Sequence, residues 1–163
     1  MSAARVLLII IVGLAAVIED LGWRRVSNWT SGGALAAGLI VNFLLKDWSG
    51  ALHAFLGAVI GFAVFLVFYL LGGMGGGDVK LMAGFGALLG GMCQILLAAM
   101  WAALSGGLMA LGYLAIRGTI RQVKIRMGIA VPPAASRKEK AGESIPYAPA
   151  ITAGAWLALV SGI

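Results

Sequence analysis

LMAGFGALLGGMCQILLAAMWAALSGGLMALGYLAI, residues 81–116, is a run of thirty-six residues without a charged side chain. As one straight helix it would be about 54 Å long, against a hydrocarbon core of about 30 Å. The run therefore has to fold back. The expected break is Gly90-Gly91-Met92-Cys93-Gln94, which leaves one helix from about Val79 and another from about Ile95 to Ile116.

The rest of the chain is similar in kind. Of 163 residues, 61% are hydrophobic and only 11% charged, and the mean hydropathy is +1.01. Soluble domains run about 45 to 50% apolar and about 25% charged, so a bilayer is the expected solvent. Twenty-five glycines follow no Gly-X-Y period, which excludes collagen and points to closely packed membrane helices. The single cysteine, Cys93, excludes a disulfide framework and a multi-cysteine zinc site.

Charges bound the remaining spans. Residues 2–18 hold only Arg5, placed where a long side chain can reach the headgroups. Residues 26–45 are twenty uncharged positions, the length of one crossing. Residues 48–77 are thirty, so a helix over about 50–71 leaves the glycine-rich segment 72–77 as a non-helical approach to Asp78. A last span is expected from about Pro146 to Ile163, with its prolines in or before the first turn. The first span ends in Glu19-Asp20 and lacks a small-residue cleavage site, unlike a removable signal peptide.

The fold expected is thus all-α: a polytopic integral membrane protein with six transmembrane helices in a single domain over residues 1–163, with a basic loop at 117–145. Loop charges orient it. Arg24, Arg25, Lys80, Arg117, Arg121, Lys124, Arg126, Arg137, Lys138 and Lys140 fall on one side; only Arg5 and Lys46 fall on the other. Lys and Arg collect in cytoplasmic loops, so the larger group is placed in the cytoplasm and both termini outside. This accounts for the net charge of +6 without nucleic acid as a partner.

Six acids remain to be explained. Glu139 and Glu143 lie in the basic loop and Asp47 beside Lys46, as solvated surface charge. Asp20, at the cytoplasmic end of the first span, and Asp78, at the cytoplasmic entry of the fourth, face the same compartment at similar depth. An acid inside the bilayer boundary is a functional candidate by default. Asp78 also suits the N-terminus of a helix, but capping alone leaves Gly75, Gly76 and Gly77 unexplained. These glycines remove bulk where an extended peptide could approach the carboxylate. Lys80 is placed to favour an ionised Asp78 or to anchor the interface.

Three segments carry a resemblance: Asp20-Leu-Gly-Trp-Arg-Arg-Val-Ser-Asn28, Gly75-Gly-Gly-Asp78-Val-Lys80-Leu, and Ile145-Pro-Tyr-Ala-Pro149. In order and on one side, they resemble the type IV prepilin peptidases, most closely the small form serving tight-adherence (Flp) pili. That resemblance implies a GxGD-type intramembrane aspartic protease with Asp20 and Asp78 as its catalytic pair. Gly75, Gly77, Lys80 and Asn28 are implied as supporting or substrate-binding residues. It further implies a pilin precursor as substrate, held by its apolar helix in the bacterial inner membrane and cut after a glycine to remove a short basic leader at the cytoplasmic face. One position departs from the pattern: Ser27 stands where the family usually has proline before the asparagine. The larger members' cysteine-rich, zinc-binding insertion is missing, so the methyltransferase activity of those members is not implied.

Two adjacent carboxylates cannot both ionise cheaply, so such a pair supplies an acid and a base for hydrolysis and needs no metal or cofactor. Other residues read more simply. The basic stretch, with Ile116, Ile120, Val123 and Met127 at helical spacing, suits an interfacial helix on anionic lipid. Trp23, Trp29, Trp48, Trp101 and Tyr147 form an interfacial belt; His53 is a packed or interfacial side chain and Cys93 a turn filler. A different class, a small proton-coupled transporter or channel, would use the same acids but also needs polar groups in the outer half. That half holds only Asn42, His53 and Gln94.

Overall fold

The computed structural model describes residues 2–71, 74–126 and 147–161. Those residues form five helices and no strand: α1 (Ala3–Trp23), α2 (Asn28–Leu70), α3 (Gly76–Leu89), α4 (Met92–Arg126) and α5 (Ala148–Val160).

The long uncharged run folds back where the glycines stand. Helix α3 stops at Leu89, and Gly90 turns left-handed with φ 62° while its N–H donates to Gly86 O. Glycine takes that conformation without a Cβ penalty. Helix α4 then starts at Met92.

The second and third expected spans are fused in α2, whose helical dihedrals fail only at Lys46 (φ −140°, ψ 21°) and Asp47 (φ 54°, ψ −147°). The break reverses the chain. Against α3, Gly84 packs on Ser31 and Ala34, and Ala87 on Gly38, so the first arm of α2 runs parallel to it. Gly86 packs on Gly57, and Met82 on Gly61, so the second arm runs antiparallel. The two arms are therefore a helical hairpin with α3 laid along it. Gly57 and Gly86 face each other backbone to backbone, where a Cβ on either would strike the other's carbonyl.

Helix α5 closes the bundle. It runs antiparallel to α1, with Thr152 against Gly13 and the Trp156 indole N–H donating to Ile9 O at 3.5 Å. It is also antiparallel to α4, where Gly154 meets Ala98 and Ala102 and Ser105 Oγ donates to Ala150 O at 3.2 Å.

One end of the bundle thus gathers residues 2–5, the Lys46-Asp47 break and the α3–α4 turn. The other gathers the end of α1 and the starts of α2, α3 and α5. The interior combines small residues, Ala16, Ala34, Ala54, Ala87, Ala98, Ala102 and Ala155 among them, with Phe65, Leu81, Phe85 and Ile95. Large apolar side chains such as Leu7, Ile18, Leu44, Leu52 and Leu104 stay exposed. An apolar exterior with close helix contacts at small residues suits a lipid solvent, in which association depends on close backbone approach and not on expelling water from apolar surface. By length and composition, α1, α2 and the Met92–Met109 part of α4 can each cross a membrane, while α5 is shorter.

Some boundaries differ from expectation. Helix α3 begins at Gly76, so part of the glycine-rich approach is already helical. Helix α4 continues past Ile116 to Arg126, so the start of the basic stretch prolongs a bundle helix. Cys93 is exposed and fills nothing. Trp23, Trp29 and Trp48 are exposed at helix ends. The remainder of the basic stretch, including Arg137, Lys138, Glu139, Lys140 and Glu143, lies outside the described residues.

Candidate active site

Asp20 occupies the last turn of α1, a helix that ends at Arg24 in the left-handed region (φ 53°), with the Arg24 N–H returned to Asp20 O. This tight end leaves the Asp20 side chain facing inward, 6% exposed. Its Oδ2 accepts the N–H of Ala148 at 2.9 Å. Ala148 is the first residue of α5 and fully buried. Its N–H has no partner within its own helix, and the carboxylate supplies one. The same bond ties α5 to α1 across 128 positions of sequence.

Asp78 sits three residues after the N-cap Gly75 of α3 and is 8% exposed. Its Oδ2 accepts the Gly75 N–H at 3.2 Å, and its own N–H donates to Gly75 O. The capping role expected for Asp78 is therefore present, with Gly75 as the cap residue and Asp78 bonding back to it. Asp20 and Asp78 lie near enough that the charge of Asp20 acts on Asp78. Arg24 acts on Asp20 from the α1 terminus. Two carboxylates are thus buried at the same end of an apolar bundle, and among the described residues each accepts one backbone N–H. Burial of such groups is costly unless they are paired and hydrogen-bonded.

The glycines before Asp78 are not required by the fold. Gly75 has φ −82°, which any residue adopts. A Cβ at Gly75, Gly76 or Gly77 would come no closer than 3.5 Å to Asp78 Oδ2, Tyr69 or Val26 respectively, an ordinary van der Waals distance. Gly75 and Gly76 are also exposed. Neither backbone strain nor internal packing accounts for three small residues there.

Lys80 and Asn28 meet: Lys80 Nζ donates to Asn28 Oδ1 at 2.9 Å and joins the starts of α3 and α2. The Lys80 ammonium thus braces two helix ends, a role the sequence did not suggest. His53 lies at the Lys46-Asp47 end, exposed, with Nδ1 2.6 Å from Ser49 O. Among the described residues, no group of three or more His, Cys, Asp and Glu could hold a metal ion.

Glu19, adjacent to Asp20, takes a separate task. Its Oε2 accepts the Ser27 N–H at 2.7 Å and its Oε1 the Thr30 hydroxyl at 2.6 Å, fastening the α1–α2 turn to the end of α1. Ser27 has φ −64°, the value that a proline ring would impose. Serine therefore keeps the turn while adding the N–H that Glu19 accepts, and its Oγ accepts from Trp29 N–H at 3.1 Å. The sequence carried one signal for this clamp: a serine in place of an expected proline, eight residues after a glutamate.

A small apolar cavity of about 150 Å³ lies between α2, α4 and α5. Phe65, Phe68, Met74, Gly106, Tyr147 and Ile151 line it, and Tyr147 directly precedes the residue bonded to Asp20.

Comparison with known proteins gives one match. The pattern of the type IV leader peptidase family fits residues 7–111, more than half of the chain, and includes both Asp20 and Asp78. No curated protein and no solved structure matches the chain.

Proposed function

The chain belongs to the type IV leader peptidase family, and on that premise we propose that it is a membrane-embedded aspartic endopeptidase acting through Asp20 and Asp78. The observation carrying this reading is the burial of two carboxylates at the same end of an apolar bundle, inside the stretch that matches the peptidase family.

The pair shares one proton. The ionised carboxylate takes a proton from a water held between the two groups, and the water oxygen bonds to the scissile carbonyl carbon. The protonated partner hydrogen-bonds the carbonyl oxygen as negative charge develops there. Collapse of the tetrahedral intermediate breaks the C–N bond, and the leaving nitrogen receives the proton first taken from water. The pair titrates as a unit, so neither Asp is assigned alone as base.

The proposed substrate is a pilin precursor of the Flp type, cut after a glycine between a short basic leader and an apolar helix. The glycines at 75–77, of which Gly75 and Gly76 are exposed, offer its extended backbone a lane to Asp78. The apolar cavity beside Tyr147 is suited to the start of its helix. Six crossings follow if the two arms of α2 and the shorter helices α3 and α5 each span. Arg24, Arg25 and Lys80 then share the carboxylate end, against Arg5 and Lys46 at the other, which supports a cytoplasmic site in the bacterial inner membrane. Anionic lipid is the proposed partner of the basic stretch over 117–145.

The transporter reading is less well supported. Its polar path would need Asn42 and His53, but Asn42 Nδ2 is committed to Gly38 O and Ala87 O, and His53 to Ser49 O.

The test is to incubate purified protein in detergent with pilin precursors and measure product mass beside the Asp78→Asn form. A leader-sized loss is expected from the wild type alone. Processing retained by Asp78→Asn refutes the dyad, and absent cleavage of every precursor with ion flux in liposomes favours transport.

A further inference from the structure

The end of the bundle opposite the carboxylates holds a cavity of about 630 Å³. Ser2, Arg5, Lys46, Gly90, Gly91 and Gln94 are among the residues lining it. Arg5 is the decisive one. It lies in the first turn of α1 and is only 8% exposed, and its Nε has no hydrogen-bond partner among the described residues. The buried Ser2 hydroxyl is likewise unpartnered. Among the described residues no carboxylate lines the cavity; Asp47 follows Lys46 but is exposed outside it. A guanidinium withdrawn from water with an unused donor is costly unless an anion completes it.

The same cavity receives the start of α4. Ile95 N–H donates to Gly91 O, so the N–H groups of Met92 and Cys93 precede the first bond of a 35-residue helix, at its positive end. Two cations, a hydroxyl and a helix N-terminus make a cradle for a tetrahedral oxyanion. Exposed Leu7, Leu44, Leu45 and Met92 lie close by in sequence, so an anion seated here would sit at the rim of an apolar belt.

We propose that this cavity is a phosphate-binding site, with Arg5 and Lys46 as the cationic ligands and the α4 N-terminus as the third arm. An anionic phospholipid headgroup and free phosphate present the same chemistry, and the experiment separates them. The site is remote from Asp20 and Asp78 and does not depend on the protease reading.

Cys93 lines the cavity and is exposed, which provides a reporter. The rate of Cys93 alkylation by a maleimide is followed in nanodiscs of phosphatidylcholine, with added inorganic phosphate in one arm and with a rising fraction of phosphatidylglycerol in the other. Protection by phosphatidylglycerol alone assigns a lipid headgroup; equal protection by inorganic phosphate assigns the free ion. In either arm Lys46→Gln is expected to raise the half-protecting concentration about tenfold, the loss of one charge-assisted contact. Arg5→Met is expected to abolish protection and also to stabilise the protein in neutral discs, because it removes an uncompensated buried charge. A merely structural Arg5 would give the opposite stability change. No protection by either anion, or equal protection in wild type and Lys46→Gln, overturns the proposal. Lys46 is exposed, so its variant remains informative if Arg5→Met does not fold.

Discussion

Asp20 does two things that substitution can separate. Its Oδ2 accepts the Ala148 N–H at 2.9 Å, and its carboxyl group is half of the proposed acid pair. Asp20→Ala removes the acceptor and leaves a fully buried backbone N–H at the start of α5 without a partner, at a cost of about 1–3 kcal/mol. Asp20→Asn keeps a side-chain carbonyl oxygen in the same place, and it also relieves the burial of charge beside Asp78. Its stability is expected within about 1 kcal/mol of the wild type. Neither variant can exchange a proton with water at this position, so leader removal is expected to fall by at least about 100-fold in both. The assay pairs denaturant titration in mixed micelles with cleavage of a pilin precursor followed by mass. If Asp20→Asn kept near-wild-type cleavage, or if the loss of activity simply tracked the loss of stability, Asp20 would be a helix-end ligand and nothing more.

The Glu19 clamp predicts that Ser27→Pro preserves the turn, since φ is already −64°, but loses the 2.7 Å bond to Glu19, a destabilisation of about 1–2 kcal/mol. In a Glu19→Ala background the same change is expected to cost markedly less, and additive costs in a double-mutant cycle would disprove the clamp. At the α2–α3 contact, a Cβ at Gly86 would lie 2.6 Å from Gly57 C and 3.0 Å from Ala58 N, backbone atoms that cannot rotate away. Gly86→Val is therefore expected to spread the two helices at a cost of about 1–3 kcal/mol, read as a lower melting temperature in detergent. The same change at the exposed Gly107, where a Cβ meets nothing within 4 Å, serves as the control and is expected to have little effect.

The sequence alone determined a good deal. A run of thirty-six uncharged residues cannot cross a bilayer once, so the fold-back at Gly90 was readable before any coordinates, and so was the interruption at Lys46-Asp47. The acids were readable too, because in a chain this apolar a charged group away from the basic loops stands out. The division of labour between neighbours was not. Nothing in the spacing tells that Glu19 fastens a turn while Asp20 reaches α5, because one residue of helix rotates a side chain by about 100° and only packed neighbours fix which face is inside. Likewise Lys80, close in sequence to Asp78, bonds instead to Asn28, 52 positions away. The partner of Asp20 and the burial of Arg5 were also invisible. Ala148 N–H is a backbone group with no sequence signature, and the cavity that Arg5 lines exists only because α1, the α2 hairpin and the α3–α4 turn end at the same level. Hydropathy sets how many times the chain must turn, since that is a matter of one-dimensional length against bilayer thickness. Which polar atoms then find one another depends on helix rotation and depth, and those are settled by three-dimensional packing of small residues against one another.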